Sequence, residues 1–294
     1  MSLLYRYRLM KSVKNIKRET KRNIIQLAFA VFINGFAKGF TNGKIFKGAS
    51  KQICVPVLNC YSCPGALGAC PIGSLQSILS GHKYKFSFYV LGILMLFGIV
   101  LGRAVCGFLC PFGLIQGLLY KIPKLKVKVP TKLDKVLRWL KYVILVVMVI
   151  LLPLFLKNEY GIGTTYFCKF ICPAGTLEAG VPMLIANKSL RKAIGALFTW
   201  KAAIAAIIVI LSILIYRPFC KYLCPLGAIY SLFNKFSMYQ LKLDENKCVH
   251  CKACERACPM QVEVTKNLNS LECIRCGKCM SACPKDAITN SFMK

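Results

Sequence analysis

The sequence predicts an all-α integral membrane domain of four transmembrane helices with an internal two-fold repeat, followed by a small α+β domain. Three observations lead there. Hydrophobic residues make up 56% of the 294-residue chain, and the mean hydropathy is +0.54, too apolar for a soluble protein of this size. Those residues are segregated into four long segments. Near the C-terminus, one cysteine spacing is written twice within about forty residues. The expected domains are 1–235 and 243–290, and Lys235–Lys247 reads as a short polar hinge.

The four apolar segments are Ile24–Phe36, Phe86–Leu101, Trp139–Phe155 and Ala196–Tyr216. A bilayer span needs roughly 20 mostly apolar residues, about 17 at the least. The third and fourth qualify outright, and the second is marginal at its edges. The first is short and carries Asn34 and Lys38 nearby. Its basic leader resembles a signal peptide, but no small-residue cleavage site follows. It reads as an uncleaved helix extended to about Phe40.

Charge orients the segments. The chain has 41 Lys and Arg against 10 Asp and Glu, a net charge of +31. Residues 1–22 hold eight basic residues and the 103–141 connection holds nine, whereas 41–85 and 157–192 hold five each. The bias places both termini in the cytoplasm, in a multi-pass protein of the inner or cytoplasmic membrane. The positive excess reads as topology and attraction to lipid headgroups. No nucleic-acid-binding motif accompanies it.

The repeated C-terminal spacing is C-x2-C-x2-C-x3-C-P, at Cys248, Cys251, Cys254 and Cys258-Pro259, then at Cys273, Cys276, Cys279 and Cys283-Pro284. This is the ligand pattern of a bacterial-type ferredoxin with two 4Fe–4S clusters. The fourth cysteine of each run serves the other cluster. Cys248, Cys251, Cys254 and Cys283 would hold one, and Cys273, Cys276, Cys279 and Cys258 the other. A zinc site closes with two cysteine pairs and does not explain eight cysteines in this arrangement. Cluster assembly on reduced thiols agrees with a cytoplasmic C-terminus.

A second repeat lies between the apolar segments. The chain writes C-P-x-G four times, starting at Cys70, Cys110, Cys172 and Cys224, and in the last three a cysteine precedes by four residues, at Cys106, Cys168 and Cys220. The first copy has Cys60, Cys63 and, further back, Cys54. Proline suits the first turn of a helix, and the free N–H groups of that turn face an anion well. Sorted by side, Cys106, Cys110, Cys220 and Cys224 form an inner membrane-domain cluster site. On the outside Cys70, Cys168 and Cys172 combine with Cys60 or Cys63 in a second one, and a Cys60–Cys63 disulfide competes there. Arg103 and Arg217 precede the inner motifs as cluster or lipid contacts.

Absences narrow the function. The only histidines, His82 and His250, cannot pair around a membrane haem, and no C-x-x-C-H occurs. There is no dinucleotide fingerprint and no nucleophile–His–acid arrangement. Before residue 217 the acids are Glu19, Asp134, Glu159 and Glu178, too few for a proton relay.

The stretch Gly102-Arg103-x2-Cys106-Gly107-x2-Cys110-Pro111-x-Gly113, the later Cys-x3-Cys-Pro copies, Leu58–Ala66 and the terminal double motif resemble the membrane ferredoxin-type proteins of the NapH/YccM/MauN kind. The resemblance covers nearly the whole chain. It implies four transmembrane helices, a cytoplasmic ferredoxin, and electron transfer connected to quinol or to an extracytoplasmic redox partner protein. One departure is that the second inner copy reads Tyr216-Arg217-Pro218-Phe219-Cys220-Lys221. The expected function is an electron-transfer subunit, not a stand-alone catalyst, with two ferredoxin clusters, two more in the membrane domain and a quinone as a further cofactor. The alternative is a redox-sensing or maturation factor for another enzyme.

Overall fold

The computed structural model describes residues 3–81, 88–123, 126–159, 163–192 and 194–292, with side chains from Ile16 onward. His82 and the first two residues of the second apolar segment lie outside these residues. Among the described residues, eight helices of nine residues or more build the first 235: α1 (Leu3–Ile33), α2 (Pro71–Ser80), α3 (Phe88–Leu101), α4 (Pro111–Leu119), α5 (Thr131–Phe155), α6 (Gly175–Ala186), α7 (Ala196–Leu214) and α8 (Pro225–Phe233).

Two of them, α5 and α7, are long and apolar enough to cross a membrane. Only 28% and 17% of their most apolar windows is buried inside the protein. Side chains such as Trp139, Val143, Trp200, Ile207 and Ile210 instead point outward, as lipid-facing residues do. The 14-residue α3 is entirely apolar but falls short of a full span. α1 ends at Ile33 and does not run on to Phe40. The Ile33 carbonyl accepts from the Leu67 N–H and the Phe36 N–H donates to Gly65, so the loop after Cys63 takes the groups that would continue the helix.

A helix follows each of the four Cys-Pro motifs. Cys70, Cys110 and Cys224 each cap one in an extended conformation with proline in the first turn. Proline loses nothing there, since that N–H has no helical partner. The Cys224 Sγ accepts from the Gly227 N–H at 3.4 Å. α8 lies against both α2 and α3, and α4 against α1 and α7, so the cysteine-capped ends turn into the middle of the fold.

The C-terminal part holds strands β1 (Tyr239–Leu243) and β2 (Ile288–Phe292), paired antiparallel from Tyr239↔Phe292 to Leu243↔Ile288, and the short helices α9 (Ala253–Arg256) and α10 (Lys278–Ala282). The middle of the stretch expected to be a hinge is therefore strand β1, and its last three residues, Glu245–Lys247, form a 3-10 turn. Its start is pinned where the Met238 N–H donates to the Ile99 carbonyl at 2.7 Å.

Buried ion pairs join the two parts. Glu272, in the ferredoxin-like part, meets Arg103 at 2.7 Å and Lys141 at 2.5 Å. Asp134 meets Lys221 at 2.5 Å and also pairs with Arg138. Lys221 and Arg138 continue to Gln261 and to the Met260 carbonyl, just past Cys258. Asn234 donates to the Ser270 and Cys273 carbonyls. From α1, Arg18 reaches Ser281 and Glu19 pairs with Lys278. A Cβ at Gly107 would stand 2.3 Å from the Ile274 carbonyl oxygen, so only glycine lets the two parts approach this closely.

Candidate iron–sulfur centres

Four cysteine quartets emerge from this packing. In the C-terminal part, one small cavity is lined by Cys248, Cys251, Cys254 and Cys283, and another by Cys258, Cys273, Cys276 and Cys279. Each cavity thus draws its fourth cysteine from the other half of the repeat. Positive φ at His250, Lys252, Arg275 and Gly277 winds the two ligand loops around these cavities. Burial pushes the Cys273 thiol up to about 12, so iron uptake there must displace a proton. The first quartet lies nearer the surface, with Cys251 exposed.

The inner quartet is Cys106, Cys110, Cys220 and Cys224, all buried in the same core. Two arginines lock it in a crossed arrangement. Arg103, three residues before Cys106, donates to the Cys220 carbonyl at 3.1 Å. Arg217, three residues before Cys220, donates to the Cys106 carbonyl at 2.8 Å. At 0% and 1% exposure neither reaches lipid. From α1, the Gln26 amide donates to the Cys110 carbonyl at 3.1 Å.

On the other side Cys60, Cys70, Cys168 and Cys172 converge on one cavity, which neither Cys54 nor Cys63 lines. The Cys60 Sγ lies 3.7 Å from a Cβ built on Gly175, and the Cys168 Sγ 3.9 Å from one on Gly73. Cys63 turns instead to Asn34, with its Sγ 3.7 Å from Oδ1. All eighteen cysteines are free thiols. Among the described residues no three Cys, His or acidic side chains close on a single-ion position.

The residues around the inner quartet fit an anionic cluster. Arg217 Nε and Nη2 and Arg103 Nε are buried with no hydrogen-bond partner. Arg103 already pairs with Glu272, but among the described residues no ion pair reaches Arg217, and a buried guanidinium left this way calls for a negative partner. Thiolates are the soft ligands that iron–sulfur clusters take.

Sequence reading overlooked two glutamines. Gln116, six residues after Cys110, donates to the Cys220 Sγ at 3.1 Å and accepts from the Phe219 N–H at 3.1 Å. Gln76, six residues after Cys70, donates to the Cys168 Sγ at 3.3 Å and accepts from the Phe167 N–H at 3.0 Å. Reading the repeat three residues further, as C-P-x-G-x2-Q, reveals them. At the same place the other copies carry Glu178, which accepts from the Cys60 N–H, and Tyr230, which donates to the Pro56 carbonyl. Hydrogen bonds to ligand sulfur stabilise the more negative, reduced state of a cluster and raise its potential. Gln116→Glu keeps the acceptor for Phe219 but replaces the donor to sulfur. An EPR redox titration should show one signal at lower potential and the ferredoxin signals unmoved; an unshifted set would deny Gln116 this role.

Cysteine-capped helices joined to a two-site ferredoxin define a ferredoxin-type protein that binds 4Fe–4S clusters. A 4Fe-4S binding domain model matches residues 85–130, 140–191 and 198–242, and a 4Fe-4S dicluster domain model matches 240–284. Two uncharacterized proteins of Methanocaldococcus jannaschii are 32% and 35% identical over 68% of this chain, covering 69% and 76% of their own lengths. The putative electron transport protein YccM of Escherichia coli is 24% identical over 69% of this chain and 56% of its own. The chain belongs to the NapH/YccM/MauN family of ferredoxin-type 4Fe–4S proteins. No solved structure matches it.

Proposed function

We propose that this protein conducts electrons across a membrane, between a cytoplasmic donor or the quinol pool and a membrane or extracytoplasmic redox partner. The four quartets would each hold a 4Fe–4S cluster, and such clusters supply one-electron transfer. The domain of four transmembrane helices, with both termini in the cytoplasm, belongs to this reading.

The observation that carries it is the order of the quartets. Cys251 is exposed at the first. At the inner quartet Gly107, next to Cys106, packs on the Ile274 carbonyl, next to Cys273 of the second ferredoxin quartet. Tyr230, fully buried on the helix that Cys224 caps, donates to the Pro56 carbonyl at 2.8 Å, in the loop that leads to Cys60. A hydrocarbon core of roughly 30 Å is too wide for one comfortable electron hop. Two clusters in the membrane part would divide that distance.

The chain's own residues hold this order. Arg103 and Arg217 tie the two halves of the inner repeat together and supply positive charge at the quartet. Gln76 and Gln116 fix the cysteine turns on the helices that face them. The Glu272 and Asp134 ion pairs keep the ferredoxin part seated.

Topology tests the reading. Reporter fusions after Gly180 and after Phe236 should report opposite compartments, with the second cytoplasmic. A shared compartment would put the inner and outer quartets on one side and end the proposal of transmembrane conduction.

A further inference from the structure

The cavity at the outer quartet is far larger than a cluster site requires. It measures about 1250 Å³, beyond the roughly 300–1,000 Å³ of common small-molecule sites. The four sulfurs line only part of it. Among the described residues its lining contains Lys47, Lys51, Lys169 and Lys201 and no Asp or Glu. A cubane with four thiolates carries a net charge of about −2 when oxidised, and Glu178, behind the lining on the Cys60 N–H, adds at most one more negative charge, so the four lysines still leave an excess of positive charge.

The lysines lie at two depths. Lys51 is 5% exposed and donates to the Ala66 carbonyl at 3.1 Å; Lys201 donates to the Cys168 carbonyl at 3.1 Å. These two are held beside the cysteine loops. Lys47 and Lys169 are exposed at the rim, where they neutralise nothing buried. Phe46, Tyr61 and Met183 give the walls an apolar and aromatic face.

Asn59 stands at the inner wall. It lines the cavity at 0% exposure, and neither its Nδ2 nor its Oδ1 has a hydrogen-bond partner. A cluster sulfur could accept from Nδ2.

We infer that this cavity binds a small, planar organic anion that exchanges single electrons at the outer quartet. The inference rests on the conduction reading above and adds the class of molecule on the external side. The transfer is outer-sphere: the bound anion gains or loses one electron as the centre loses or gains it, and no bond is made or broken.

Anthraquinone-2,6-disulfonate is a suitable probe, being planar, dianionic and redox-active. Its binding to full-length oxidised protein in nanodiscs is measured by calorimetry, alongside methyl viologen, a planar dication, and with iron quantified in each sample. The expected result is saturable binding of the dianion and none of the dication. The double variant Lys47→Glu/Lys169→Glu should lose at least tenfold in affinity at unchanged iron content. No saturable binding of the dianion, equal binding of both probes, or full affinity in the double variant would overturn the inference. Binding by protein that carries iron only in the ferredoxin part would instead keep the anion site and sink the conduction reading.

Discussion

Replacing Cys110 by serine should abolish the inner centre and with it electron transfer from a cytoplasmic donor to an external acceptor. Cys110 is buried and interacts with Cys106 and Cys220, and it caps α4 from within the inner quartet. A serine hydroxyl in that place is a hard, protonated group where a soft thiolate is needed. Cys224 caps α8 on the opposite side of the same quartet. Cys224→Ser should therefore remove the same EPR signal, and the double variant should lose nothing more, because residues acting as one unit are non-additive. The ferredoxin signals should persist, since their eight cysteines line separate cavities. In proteoliposomes the transmembrane rate should fall to the background leak. Full transfer in Cys110→Ser would mean that the Cys-Pro motifs only start helices.

Glu272→Gln should destabilise the seating of the ferredoxin part by about 3–5 kcal/mol, the cost of leaving a buried charge unpaired. The carboxylate answers two cations, Arg103 and Lys141, each at 0% exposure. Burial by itself would raise its pKa, but the two positive charges and their hydrogen bonds outweigh burial and hold it at about 2. A lowered folded pKa stabilises above the ordinary carboxylate range, and that contribution is lost only as pH falls toward 2. Substitution removes it at every pH. Hydrogen exchange should show amides near Ile274 and Arg275 opening, since the first packs on Gly107 and the second donates to the Leu101 carbonyl. Unchanged protection would mean that other contacts, such as those of Asn234 and Gln261, suffice.

Much of this arrangement is legible in the sequence because cysteine and proline report chemistry locally. Spacing alone sorts Cys258 to the second ferredoxin quartet and Cys283 to the first, and each lines the corresponding cavity. Pro111 and Pro225 mark helix starts because proline fits no other helical position as well. What sequence leaves open depends on contacts between distant residues. The choice of Cys60 over Cys63 turns on Asn34 drawing the second sulfur away. The end of α1 at Ile33 turns on Gly65 and Leu67, thirty residues on. The polar linker looked like a hinge because its partner strand, Ile288–Phe292, lies at the far end of the domain. Lys221 departs from the glycine of the first copy because it faces Asp134 and Gln261, whereas Gly107 faces the Ile274 carbonyl.

The central claim is that the membrane part holds clusters of its own. Iron and acid-labile sulfide should therefore be counted in anaerobically purified, full-length protein. Four loaded quartets give about 16 Fe and 16 sulfide per chain; a ferredoxin alone gives about 8 of each. The account predicts the higher figure, falling by about four of each in Cys110→Ser. A wild-type value near 8, unchanged by that substitution, would contradict it and leave a ferredoxin seated on an iron-free helical base.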